Sequence, residues 1–292
     1  MTDSKEDSTT DNSNSDEKNQ LNNSDTNNTR FTDSQLLGGT FLMVLIVFGG
    51  AIAMGGGVPT TGDASDFNYP DWANETEITD VQAATQSHAT TLTSTSYKIE
   101  AVINSQTADQ EQESSFTYSY NNNSQSAYGI QDAQSNQTET YDDYTENQIY
   151  VANGFSSEEN ATFEREYLTQ SPFTGGSVVT QFLTFSTVEA VETTDDGSVV
   201  VYNITGVDEE FSEQINVSLS GEMHLHEDGY FNKVNVSIEQ SASDTTSNQD
   251  ITVSDVGSTT VEEPAWLSQA KEQTERAEEP TTNSTASGNE TE

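Results

Sequence analysis

Cysteine is absent from the 292 residues. That excludes a disulfide framework, a thiolate metal site, a cysteine nucleophile and a lipid-modified cysteine anchor. Basic residues are nearly absent too: 8 Lys+Arg stand against 50 Asp+Glu, a formal net charge of −42. Phosphate backbones are held by Lys and Arg, so this balance excludes a nucleic-acid partner. Histidine occurs three times, and there is no HExxH, no GxSxG and no glycine-rich phosphate loop. Carboxylates are so numerous that any pair offered as acid and base is chance until geometry brings it together. The expectation is a protein that is not an enzyme and needs no cofactor.

What is present begins with the charge itself. Self-repulsion on this scale destabilises a compact chain, and at molar salt a Debye length of about 3 Å screens it. Excess carboxylate therefore reads as adaptation to high salt. Hydrophobic content of only 31% also fits disorder, and the two readings divide by region. Residues 1–35 and 277–292 read as disordered tails, whereas the middle carries alternating apolar and aromatic runs that disorder does not require.

Leu36–Val58 contains no charged residue. About 20 such residues span the roughly 30 Å core of a bilayer as a helix, so 36–58 reads as a transmembrane anchor. The competing reading is a signal peptide cut after Ala53, at the small-x-small pattern Ala51-Ile52-Ala53. Its weakness is the preceding segment, which is long and net acidic where a secretory signal has a short basic region. Arg30 precedes the run and the next basic residue is Lys98, so the positive-inside rule puts the N-terminus inside. The expectation is a single-pass cell-membrane protein with an extracellular C-terminal domain. Its partners are the bilayer, through one anchor helix, and a hydrophobic ligand or an envelope protein. Asn74, Asn122, Asn136, Asn160, Asn203, Asn216, Asn235, Asn283 and Asn289 open N-x-[ST] sequons beyond the run, glycan acceptors if the domain is exported.

Residues 59–68 read as a linker and 69–276 as one α+β domain. In Ile78–Leu92 the spacing of Val81, Ala84, His88 and Leu92 predicts a helix capped by Thr79 or Asp80, with His88 a satisfied core or rim histidine. "YKIEAVI" and "SFTYSY" alternate with period two, the pattern of a sheet with one buried face. "QIYVAN" and "TFEREYL" read as further strands, and "SVVTQFLTF" as a helix through Val178, Val179, Phe182 and Leu183. Asp196-Gly197 and Asp228-Gly229 predict two hairpins with type I′ turns. A last strand, "DITVSDVG", leads to Trp266, which is expected to close the core.

The order of "DVQAATQSHATTLTSTSY", "IYVANG", "FEREYL", "HEDGYFNKV" and "DVGSTTVEEPAWLSQA" resembles an uncharacterised family of haloarchaeal surface lipoproteins, itself similar to LolA/LppX-type lipoprotein carriers. The resemblance implies a curved antiparallel half-barrel wrapped around short helices and a hydrophobic cleft. That family usually starts with a lipobox cysteine, which this chain lacks, so an anchor helix would replace the lipid.

Site candidates follow from strand and helix parity. Tyr97, Ile99, Phe116, Tyr118, Tyr150 and Phe182 are expected to line a cleft if one exists, with a solid core as the alternative. His224 and His226, with Glu222, share one face of a strand and could hold a divalent metal, although polar residues on a wet face are the simpler reading and no metal is expected. Asp142-Asp143 and Asp208-Glu209-Glu210 could attract cations loosely, without calcium-loop spacing. Two functions remain: a lipid or hydrophobic-ligand binder at the cell envelope, or a non-catalytic interaction or structural module.

Overall fold

Period-two alternation dominates the chain, and strands dominate the structure. A computed structural model describes residues 60–107, 110–133, 136–154, 161–194, 196–208, 217–240 and 245–278. Leu36–Val58 lies outside them, and among the described residues no helix is long and apolar enough to cross a membrane. The strands are β1 Thr60–Gly62, β2 Tyr97–Gln106, β3 Glu111–Asn121, β4 Ser126–Ala133, β5 Asn136–Asp143, β6 Gln148–Asn153, β7 Thr162–Tyr167, β8 Ser186–Thr194, β9 Val199–Val207, β10 Val217–His226, β11 Phe231–Gln240 and β12 Thr245–Ser254. The helices are α1 Val81–Thr93, α2 Gly176–Phe185 and α3 Leu267–Glu278.

The strands form one curved, unclosed antiparallel sheet in the order β1-β8-β9-β10-β11-β12-β2-β3-β4-β5-β6-β7. Its inner face carries α1 and α2. Asp80 caps α1 by accepting from Ala83 N, and Ala84, His88 and Leu92 are buried along one stripe. Val178, Val179, Phe182 and Leu183 do the same on α2. They meet Tyr97, Ile99, Tyr202, Met223, Leu225 and Val234 in the main core. Each such side chain contributes roughly 1.5–3 kcal/mol on full burial.

Trp266 closes a different cluster from the one its sequence position suggested. It packs with Leu267 and Ala270 on Tyr141, Tyr150 and Ala152, which belong to the outer face, opposite the helices α1 and α2. The segment expected to be a linker also belongs to the domain: β1 pairs with β8, and Ala64 and Phe67 are buried in the main core.

Both Asp-Gly hairpins form, but neither has a type I′ turn. In each, a glycine N–H returns to the carbonyl three residues back, Gly197 to Thr194 and Gly229 to His226. The glycine is left-handed in each (φ 71° and 84°), while Glu227 and Asp228 of the second loop are not. That is the longer loop in which the glycine supplies a bulge.

Candidate functional site

The 168–175 segment joins β7 to α2 and crosses the inner face as a strap. It has no repeating backbone ladder, so side chains fasten it. Tyr97 Oη donates to Phe173 O at 2.7 Å, Phe173 N donates to Tyr118 Oη at 3.2 Å, and His88 Nε2 meets Thr174 O at 2.7 Å. The Phe173 ring stands edge-on to Phe116 (5.2 Å between centroids) and Tyr118 (5.6 Å). His88 is satisfied on both nitrogens, because Nδ1 accepts from Phe231 N at 3.1 Å. Nε2 is then the protonated nitrogen, and burial pulls the imidazole down to about 4.

Beneath the strap is a cavity of about 50 Å³. Phe116, Tyr118, Ile149, Leu168 and Phe173 supply its apolar lining, and Thr140, Asp142, Tyr144, Gln170 and Ser171 bring polar groups to it. Asp142 is the chemical centre. It is 6% exposed, and burial pushes its carboxyl up to about 7, against the opposing hydroxyls of Tyr144 and Tyr118. Tyr144 Oη stands 3.3 Å from Oδ2, and the Tyr144 and Tyr118 hydroxyls share a 2.9 Å hydrogen bond. Asp142 Oδ1 is buried without a hydrogen-bond partner. Burial also raises the Tyr118 and Tyr144 phenols, so both stay neutral.

Of the six residues expected to line a cleft, Phe116 and Tyr118 do. Tyr97, Ile99 and Phe182 are closed into the core at 0%, 1% and 4% exposure. Tyr150 is on the wrong face: it pairs with Tyr141 and packs under Trp266, and its neighbour Ile149 reaches the cavity instead. The loose cation pair Asp142-Asp143 splits across the sheet, with Asp143 Oδ1 bound to Thr145 N and Glu146 N. Thr140, Asp142 and Tyr144 share one parity, which was the available signal for the polar wall. The strap gave none, since its place depends on contacts far along the chain.

His224 is a correction. It is buried at 4% exposure, not wet, with Nε2 3.1 Å from Glu222 Oε1 in poor hydrogen-bond geometry. Lys233 Nζ already takes the same Oε1 at 2.8 Å. No group of three or more His, Asp or Glu able to hold a metal occurs among the described residues. Two sequons are already engaged, with Asn122 Nδ2 donating to Ser94 O and Asn235 Nδ2 to Asp250 Oδ2. Asn136 and Asn203 are exposed, and Asn74 is half-buried. Asn160 and Asn216 lie outside the described residues.

On the outer face, the 260–266 segment covers an open cleft of about 510 Å³. Its floor is Tyr128 and Trp266, both donating to Glu139 Oε2, at 2.5 and 2.7 Å. Glu262 and Glu263 stand exposed at its rim.

A broad unclosed antiparallel sheet with helices on its inner face and a cavity beneath a strap defines the class: an α+β half-barrel. No family model matches the chain, and no curated protein matches it in sequence. Solved structures similar to it include a LolA-superfamily protein from Nitrosomonas europaea, 13% identical, covering 64% of this chain and 96% of that one at a TM-score of 0.26. A DUF1329-family protein from Desulfovibrio piger is 11% identical over 64% of this chain and 96% of its own, at a TM-score of 0.29. Neither assigns a ligand to this chain.

Proposed function

We propose that this is the extracellular part of a single-pass envelope protein that binds a hydrophobic or amphipathic ligand on the inner face of its sheet. The observation that carries the reading is the cavity under the strap, where aromatic and aliphatic groups face a buried carboxyl with an unused oxygen. Ligand sites typically combine an apolar lining with a few convergent polar groups, in volumes of roughly 300–1,000 Å³. At about 50 Å³ the cavity admits only a small group. A lipid-sized ligand enters by lifting residues 168–172, while Phe173 and Thr174 stay tied to Tyr97, Tyr118 and His88. The anchor Leu36–Val58 holds this domain at the membrane, and its carboxylates suit a salty exterior.

The closed packing of Tyr97, Ile99 and Phe182 favours a second reading, a non-catalytic envelope interaction module with a solid core. The two are separated by purifying the full chain from its native host in high salt and extracting it for lipids. A stoichiometric apolar species, lost when Phe116 is replaced by Trp to fill the cavity, supports the binder. A ligand-free protein that takes up no added fatty acid or phospholipid leaves the interaction module.

A further inference from the structure

No counter-charge lines the cavity beside Asp142, and its Oδ1 has no hydrogen-bond partner. The side chains that share its face on the adjoining strands are Ala127 of β4 and Ile149 of β6. Thr140, Tyr118 and Tyr144 complete its own side of the cavity, and the strap adds the neutral Gln170 and Ser171. The next ionisable group along that row is another acid, Glu166, opposite Ile149 on β7. No Lys, Arg or His lines the cavity.

We propose that the cavity takes a small cation of the ammonium type, ammonium itself or the primary amine of a larger ligand, held between the Asp142 carboxylate and the aromatic wall of Phe116, Tyr118 and Phe173. The inference rests on reading the cavity as a ligand site and specifies the polar end of that ligand. Three features select this chemistry. A single carboxylate cannot supply the six to eight oxygens of a calcium site. Aromatic rings attract a desolvated cation beside them. An N–H donor also satisfies Oδ1, while the Tyr144 and Tyr118 oxygens provide further acceptors. Binding exchanges one proton: Asp142 releases its hydrogen to solvent and the ammonium takes its place against Oδ1. With the carboxyl held up at about 7, proton and ammonium compete across neutral pH.

The test is thermal unfolding of the full chain in detergent, with methylammonium chloride replacing sodium chloride at constant ionic strength. Methylammonium is expected to raise the melting temperature at pH 8.5, because a ligand binding only the native state stabilises it. Its apparent Kd should weaken about tenfold per pH unit below 7, and the effect should vanish in Asp142→Asn. A rise no larger than with sodium, or one retained in Asp142→Asn, overturns the proposal. Should that variant fail to fold, the Asp142 carboxyl-carbon NMR titration of the unsubstituted protein decides. Saturating methylammonium is expected to lower its midpoint by at least about one unit, and an unmoved midpoint overturns the proposal. A bound neutral lipid with a silent methylammonium titration overturns the amine while sparing the ligand site. A positive titration with no apolar ligand supports the amine and overturns only the hydrophobic reading.

Discussion

The indole Nε1 of Trp266 donates to Oε2 of Glu139 at 2.7 Å, tying residues 127 positions apart. Tyr128 Oη donates to the same oxygen, so one carboxylate fastens the start of α3 to the outer face. Glu139→Ala leaves two donors without that acceptor and should destabilise by about 2–4 kcal/mol, since each buried unsatisfied group costs about 1–3. Glu139→Gln keeps an acceptor and should cost less. Chemical denaturation gives the magnitudes, and a red-shifted Trp266 emission in Glu139→Ala marks loosening of α3. Unchanged stability and emission would show that the apolar contacts with Tyr141 and Tyr150 hold α3 unaided.

Gly221 allows β10 to approach β11. A Cβ there would lie 2.1 Å from Asn235 O, with φ at 140°. Both space and backbone conformation oppose a side chain, so Gly221→Ala should destabilise by more than about 2 kcal/mol. A variant of ordinary stability would mean that the two strands separate freely at this point.

Two buried groups pull stability in opposite directions with pH. His88 has its pKa depressed to about 4, so its contribution is complete above about 6.5 and is lost as pH falls through 4. Asp142 has its pKa raised to about 7, so its contribution is complete below about 3.8 and is lost as pH rises through 7. Each slope is about 1.4 kcal/mol per pH unit, and between about pH 4 and 6.5 they offset one another. Asp142→Asn should remove one limb, so that stability relative to the unsubstituted protein falls steadily on acidification from 6.5 to 4. Denaturation midpoints at half-unit steps test this, and parallel curves for the two proteins would contradict it.

Much of the framework was legible because alternation and helical spacing are local. In β10, Leu219, Met223 and Leu225 face inward with Val234, Val236 and Ile238 of β11, as their parity requires. His88 fell where its helix stripe put it. What escaped the sequence was which face of a long sheet a given parity serves. Tyr150 alternates as well as Tyr118 does, yet the β5–β6 register pairs it with Tyr141 on the side that α3 covers. His224 looked wet because its face carries Glu222 and Lys233, and its burial is set by packing beyond its own strand. The cavity was least legible, because its roof is an irregular strap fixed by three distant side chains.

The proposed topology has its own test. Protease added to intact cells should remove the folded domain and spare an N-terminal fragment containing Leu36–Val58. A mature protein beginning near Met54 and free in the medium would contradict the anchor.

The inner-face ligand site is tested most directly by photo-crosslinking the full chain with a diazirine-bearing fatty acyl probe, followed by peptide mapping. The expected result is labelling confined to peptides containing Phe116–Tyr118 and Leu168–Phe173, diminished by excess unmodified fatty acid and by Phe116→Trp. Labelling only at exposed apolar positions such as Tyr167 and Val191, insensitive to competitor, would contradict the account.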